Sequence, residues 1–170
     1  IRNDGRNTRL TFDKLGIDMI VADEAHAYKN IGIRGELVKF GLGTSFSISE
    51  NGKISSARAY DFRFKANHII EKNNDKNVFM LTATPTPNKP MELYTMLRHL
   101  SMNILKEYGI RNDQDFSNTF FLLGTERKPG RDETKNILTH IINVPELRGI
   151  IERFIDKRSI EDMPWITIPE

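Results

Sequence analysis

The stretch Gly16-Ile17-Asp18-Met19-Ile20-Val21-Ala22-Asp23-Glu24-Ala25-His26 decides the fold. Its first seven residues form a short apolar run of strand length that stops at two carboxylates. A run this apolar predicts a strand buried on both faces, as in a parallel sheet with helices outside it. Val78-Phe79-Met80-Leu81 repeats the pattern and ends at Thr82-Ala83-Thr84-Pro85. Between the two lies the clearest amphipathic helix, predicted over Ser56–Lys72, where Ala59, Phe62, Ala66, Ile69 and Ile70 make one apolar stripe. Strand, helical crossover and strand form a parallel unit, so Asp23 and Thr82 are expected on the same sheet edge. The fold class is therefore α/β, a parallel sheet with flanking helices.

The rest of the chain is read outward from this unit. Residues 1–11 are polar and carry no period. Gly41–Ser56 is rich in Gly and Ser and reads as a mobile loop, with a hairpin signal at Asn51-Gly52. Asn73–Lys76 reads as a turn. Asn88 is a candidate N-cap for a helix with Pro90 in its first turn, running through Leu93, Leu97 and Leu100. Asp113–Leu123 reads as a short helix with Phe116 and Phe120 inward and Gly124 as its C-cap. Thr125–Asn136 is charged and loop-like, and Ile137–Val144 reads as a strand. Pro145 opens a last helix carrying Leu147, Ile150, Ile151 and Phe154. Residues 1–144 are thus expected to form one unit and 145–170 a helix and exit segment, with the lone Trp165 anchoring the tail.

Composition bounds the function. The 170 residues suit one domain. With 25 Lys and Arg against 23 Asp and Glu, the net charge is +2, which excludes a polybasic binder but not a local basic patch. Cysteine is absent, which excludes disulfide scaffolds, zinc ribbons and thiol nucleophiles. No apolar run approaches a membrane span, and no secretory signal opens the chain. The first residue is Ile1, which suggests a processed product or a piece of something longer.

Asp23-Glu24-Ala25-His26 is the strongest chemical signal. Open α/β sheets bind ligands at the carboxyl edge, where this tetrapeptide emerges. Asp23 there can hold Mg²⁺ through water, because Mg²⁺ prefers oxygen ligands and keeps much of its hydration. Glu24 can orient and deprotonate the water that attacks a γ-phosphate. His26 can link the site to a neighbouring element through a ring nitrogen. The bland alternative is a polar strand end. The tetrapeptide arises by chance in a chain of this length on the order of once in a thousand, which favours the functional reading. Thr82 and Thr84, alone, would be capping hydroxyls of a helix-entry loop. Beside the acidic motif they become candidates for sensing its state.

The pairing resembles motifs II and III of the superfamily-two helicases and translocases, written D-E-A-H or D-E-A-D and S-A-T or T-A/G-T. Thr84-Pro85-Thr86-Pro87-Asn88-Lys89-Pro90-Met91-Glu92-Leu93-Tyr94 is similar to the T-P-x-x-N-x-x-x-E-L segment of Swi/Snf-type translocases. Phe12–Gly16, Tyr28-Lys29-Asn30, Asn143–Leu147, Asp156 and Met163-Pro164 also fit. Together they most resemble the large helicase–methyltransferase proteins of plasmids, conjugative elements and phages, including antirestriction types. The resemblance implies part of a first RecA-like lobe that uses ATP and Mg²⁺ to translocate along or unwind DNA, in the cytoplasm of a bacterial or phage-infected cell. Asp23 and Glu24 would then be catalytic, and His26, Thr82 and Thr84 would couple nucleotide state to DNA grip. The remaining lobes, on the same or another chain, would be partners, and no membrane is implied.

No G-x-x-x-x-G-K-[ST] phosphate loop occurs, nor the arginine-rich motif of a second lobe. The isolated chain is therefore expected to be inactive. Two other classes remain: a non-catalytic nucleic-acid-binding or structural relic or split subunit, and an unrelated Mg²⁺-dependent hydrolase using the same two carboxylates. On the Ser56–Lys72 helix, Arg58, Lys65 and Lys72 recur every seven residues, with Tyr60 and Phe64 off the apolar stripe. Basic residues near aromatics suit a nucleic acid. A merely solvated basic face is the preferred reading, since most charged helix faces are no more than that. His99 and His140 have no metal-ligand spacing and read as structural or exposed.

Overall fold

A computed structural model describes residues 11–31, 37, 42, 57–84, 89–127, 134–163 and 165. Among them the fold is mixed α/β, with five α-helices, a two-stranded parallel sheet and a two-stranded antiparallel sheet. The expected Gly41–Ser56 loop apart from Leu42, the Asn51-Gly52 turn and the Asn88 cap lie outside the described residues. No helix among the described residues is long and apolar enough to cross a membrane.

β1 (Ile20–Ala22) and β2 (Val78–Met80) pair in parallel, Ile20 opposite Val78 and Ala22 opposite Met80. The crossover between them contains α1 (Ala57–Lys72), whose five expected stripe residues are all buried. Phe62 and Ala66 of α1 pack under Ala22, with Ile20, Val78 and Met80 around them. Alternation along a strand sends the intervening residues to the other face. There Val21 is 55% exposed and Phe79 51%, so burial on both faces does not hold among the described residues. The first half of the apolar run is not strand either. Asp18 serves as an anchor, its carbonyl accepting from the side-chain amides of Asn73 (3.2 Å) and Asn77 (3.1 Å), and its carboxylate pairing with Lys72. The α1–β2 turn uses Asn74, Asp75 and Asn77 at positive φ, a conformation that short polar side chains tolerate.

α2 (Pro90–Leu100) begins with proline in its first turn, after the cap residue Lys89. Glu92 reaches back, its carboxylate accepting from the Lys89 N–H at 3.4 Å. Its buried face is Met91, Tyr94 and Leu97 together with the polar Glu92, Thr95 and His99. Of Leu93, Leu97 and Leu100, through which the helix was expected to run, Leu97 is the fully buried one. All three line a cleft. Ser101 caps α3 (Met102–Glu107), accepting from the Ile104 N–H. Asn112 caps α4 (Asp113–Phe120), accepting from the Asp115 N–H. α5 (Val144–Phe154) buries Leu147 and Ile150. These join Leu37, Leu42, Met91, Tyr94, Leu105, Phe116 and Phe120 in the main core. Trp165 is 76% exposed and anchors nothing among the described residues, contrary to expectation.

The helix expected to run to Leu123 stops at Phe120, and the chain enters β3 (Phe121–Arg127) directly. β3 pairs antiparallel with β4 (Thr134–Ile141), from Phe121 opposite Ile141 to Arg127 opposite Thr134. Much of the charged stretch expected as loop is thus ribbon, and Gly124 lies within a strand rather than at a helix cap. Its lack of a side chain has a steric purpose: a Cβ there would stand 2.9 Å from Thr139 Cγ2. Thr139 is pinned, since its hydroxyl donates to the Leu122 carbonyl at 2.8 Å. Gly124→Ala is expected to destabilise the fold by about 1–3 kcal/mol through overpacking. Thr139→Ser removes the offending methyl, and chemical denaturation of the double variant should recover most of the loss.

Candidate functional site

The parallel register delivers both sequence motifs to one end of the β1/β2 sheet. The Leu81 N–H donates to the Ala22 carbonyl (2.8 Å), and the Ala25 N–H donates to the Leu81 carbonyl (2.8 Å). Backbone pairing therefore continues past both strands and binds the acidic motif to the segment entering Thr82. Glu24 takes the left-handed conformation, φ 49° and ψ 46°, which turns the chain into the 3-10 turn Ala25–Tyr28. A non-glycine residue there costs roughly 1–3 kcal/mol unless its surroundings enforce it. Asp23 helps enforce it, its Oδ1 accepting from the Glu24 N–H at 2.8 Å. Fully buried Ala25 pins the next residue.

Both carboxylates remain exposed. Glu24 Oε2 lies 3.2 Å from His26 Nδ1, so the histidine turns back onto its own motif. Thr82 and Thr84 form a local turn, in which the Thr84 N–H donates to Thr82 Oγ1 at 3.1 Å. No hydrogen bond joins either threonine to the acidic motif among the described residues. A cleft of about 430 Å³ opens on the Thr82 side, between Met80 and Leu81 of the β2 end, Leu93 and Leu100 of α2, and Phe154. Asp23 and Glu24 do not line it.

No group of three or more His, Asp or Glu side chains among the described residues forms a metal-binding cluster. The donors that Asp23 and Glu24 offer are hard carboxylate oxygens facing solvent. Asp23 Oδ1 is engaged by backbone, and Oδ2 accepts no hydrogen bond among the described residues. That set fits a cation that retains most of its waters, as Mg²⁺ does, rather than one needing a complete protein cage.

Three contacts hold the turn from behind, and sequence reading did not find them as contacts. Lys29 Nζ pairs with Glu92 Oε2 at 3.2 Å, where the Glu92 side chain is 0% exposed and the Lys29 side chain 18%. The Tyr28 ring stacks on Phe62 with centroids 4.3 Å apart. His99 Nε2 donates to the Tyr28 carbonyl at 3.0 Å. Lys29 and Glu92 each stood out in the family resemblance, but nothing in one sequence pairs them. An acid on the same helix face as Met91 and Thr95 is the one available hint.

His99 is fully buried, and burial pushes its pKa down to about 3, the Tyr28 hydrogen bond opposing this only in part. The unfolded chain therefore binds one more proton than the folded one between about pH 3 and pH 6.5. Stability is expected to fall as pH drops through that window, with this residue contributing about 1.4 kcal/mol per pH unit at most. His99→Asn should flatten that dependence. An unchanged acid slope in the variant would show that His99 is not its source.

The basic helix face is mostly committed. Lys65 pairs with Asp61 one turn back, and Lys72 pairs with Asp18. Arg58 is exposed and makes no ion pair among the described residues. Phe64 is 72% exposed on the same helix.

No family model matches the chain, and no solved structure matches it. The chain is 30% identical over 168 residues to "Defense against restriction protein B" of Escherichia phage P1. The alignment takes in 94% of this chain and 7% of that protein. The similarity thus extends over nearly all of these residues but concerns a small part of a very large phage protein named for defence against restriction.

Proposed function

We propose that this chain is part of an ATP-dependent DNA translocase or helicase with an antirestriction role in phage or mobile-element biology. The observation that carries the reading is the parallel register, which brings Asp23-Glu24 and Thr82 to one sheet edge through paired backbone. The bare face at Val21 and Phe79 supports it, because parallel sheets are covered on both faces in complete domains. The similarity to a phage defence protein supports the biological setting. Bacterial or phage-infected cytoplasm and the remaining helicase lobes as partners belong to the same proposal.

In this reading Asp23 holds Mg²⁺ through water. Bound Mg²⁺ and ATP supply charge neutralisation and the transferable phosphoryl group. Glu24 acts as general base on the attacking water. The contact of His26 Nδ1 with Glu24 Oε2 steadies one carboxylate oxygen and leaves the other for that proton. Thr82 and Thr84, one backbone bond from Ala25, read the state of the acidic turn and pass it toward the DNA. Most of the rate enhancement in such chemistry comes from positioning and charge stabilisation. The isolated 170 residues, which contain no lysine-bearing phosphate loop, therefore turn over no ATP above background.

DNA-stimulated ATP hydrolysis by the full-length protein tests the proposal. Asp23→Asn is expected to remove the Mg²⁺-dependent turnover. Absence of any DNA-stimulated turnover in the parent would support a non-catalytic subunit instead, and wild-type turnover in the variant would overturn the assignment of Asp23.

A further inference from the structure

Arg63 of α1 and Arg98 of α2 flank the seam where these two helices pack. Phe62 and His99, their neighbours in sequence, make an edge-on ring contact across this seam at 5.1 Å. Arg63 and Arg98 are each part-buried. Arg63 Nη1 and Arg98 Nε are shielded from solvent and find no hydrogen-bond acceptor among the described residues. Burial first, and the Arg98 charge second, bring the Arg63 guanidinium down to about 10. Tyr94 lies under Arg98, 5.4 Å from ring to guanidinium, and its hydroxyl is also buried without a partner.

Three other cations are compensated. Lys29, Lys65 and Lys72 each hold a carboxylate. Asp113 and Asp115 bear on Tyr94 electrostatically but are spent locally. Asp115 Oδ2 accepts from the Arg111 N–H (2.9 Å) and the Asn112 amide (3.2 Å), and Asp113 Oδ1 accepts from the Gln114 N–H (3.2 Å). Arg63 and Arg98 form no ion pair among the described residues.

Two like charges that act on one another across this seam, with shielded N–H groups and no acceptor among the described residues, define an unfilled requirement. A single carboxylate would leave one positive charge over. A phosphate-class anion brings up to two negative charges and enough oxygens to accept from both guanidinium forks and from the Tyr94 hydroxyl. We propose that Arg63, Arg98 and Tyr94 form a binding site for a phosphate-class oxyanion in the α1–α2 seam. The site stands apart from Asp23 and Glu24 and does not rest on the hydrolysis reading. It lies behind the acidic turn, because Phe62 stacks on Tyr28 and His99 holds the Tyr28 carbonyl. Occupancy therefore bears on the segment that carries the carboxylates.

Thermal unfolding of the chain at fixed ionic strength, in a non-coordinating buffer, tests this with two probes. One is inorganic phosphate and the other a short DNA duplex at equal phosphate concentration. Either is expected to raise the melting temperature by roughly 3–6 °C at ten times its dissociation constant. A rise with orthophosphate identifies a free phosphate as sufficient, and a rise with the duplex alone identifies the nucleic-acid backbone. Arg63→Gln and Arg98→Gln should each abolish the rise, and in the anion-free buffer should melt no lower than the parent, since each relieves the repulsion. Arg98→Lys keeps the charge and a folded seam and should weaken the response, while Lys65→Gln should leave it intact. No rise with either probe, or an equal rise in the arginine variants (an adventitious ion only), would overturn the proposal.

Discussion

Glu24→Gln in the full-length protein is expected to slow ATP turnover by at least about a hundredfold while leaving nucleotide binding near normal. Loss of a positioned general base typically costs a factor of roughly 10²–10⁴. The amide retains the shape of the carboxylate and can keep the contact with His26 Nδ1, which lies 3.2 Å from Glu24. On the proposed reading, phosphate and metal contacts would be kept and proton acceptance lost. A second variant separates chemistry from backbone. Glu24 sits at φ 49°, where glycine bears no strain. Glu24→Gly should be equally inactive yet melt at or above the parent temperature. Turnover retained in Glu24→Gln would mean that another group takes the proton. Turnover lost together with a large fall in melting temperature would assign Glu24 a structural role.

The elements legible in sequence were those whose residues face one partner with one period. The α1 stripe of Ala59, Phe62, Ala66, Ile69 and Ile70 gave the correct buried face to the residue. The parallel pairing of β1 and β2 followed from two apolar runs flanking that helix. The errors cluster where pattern and context diverge. Val21 and Phe79 read as buried because apolar runs signal double-sided cover, but periodicity carries no information on whether the second layer is present. The helix predicted to Leu123 ended early because Phe120 and Phe121 are both buried and adjacent, which suits a helix end and a strand start alike. Gly124 then looked like a cap, whereas its role is the close approach of Thr139 from a strand not recognised to begin before Ile137. Asp23, Glu24 and Thr82 could be placed at one end of the sheet because they close the two apolar runs. The Lys29–Glu92 pair, the His99–Tyr28 bond and the Arg63–Arg98 pair were not, because each joins segments far apart in sequence through side chains of unremarkable spacing.

The Lys29–Glu92 pair is where loss of one long-range contact should have the greatest effect on stability. The Glu92 carboxylate is 0% exposed and Lys29 Nζ is 3.2 Å away. Lys29→Met removes this cation from the buried carboxylate. Breaking one side of a buried ion pair costs about 3–5 kcal/mol, because part of what offsets the survivor's desolvation is lost. In a domain of this size that corresponds to a fall in melting temperature of roughly 6–20 °C. Glu92 also supports the first turn of α2 through the Lys89 N–H, so Glu92→Gln should do less harm than Lys29→Met: the amide oxygen can still accept there. The double variant Lys29→Met/Glu92→Met removes both charges and is expected to recover most of the loss, as apolar replacements of buried pairs often do. Because Lys29 directly follows the Ala25–Tyr28 turn, the single variant should also loosen the acidic motif, visible as faster amide exchange at Ala25 and Leu81, whose backbones are bonded at 2.8 Å. Additive losses in the double variant, with unchanged exchange at Ala25, would show that the pair neither stabilises the fold as a unit nor holds the turn in place.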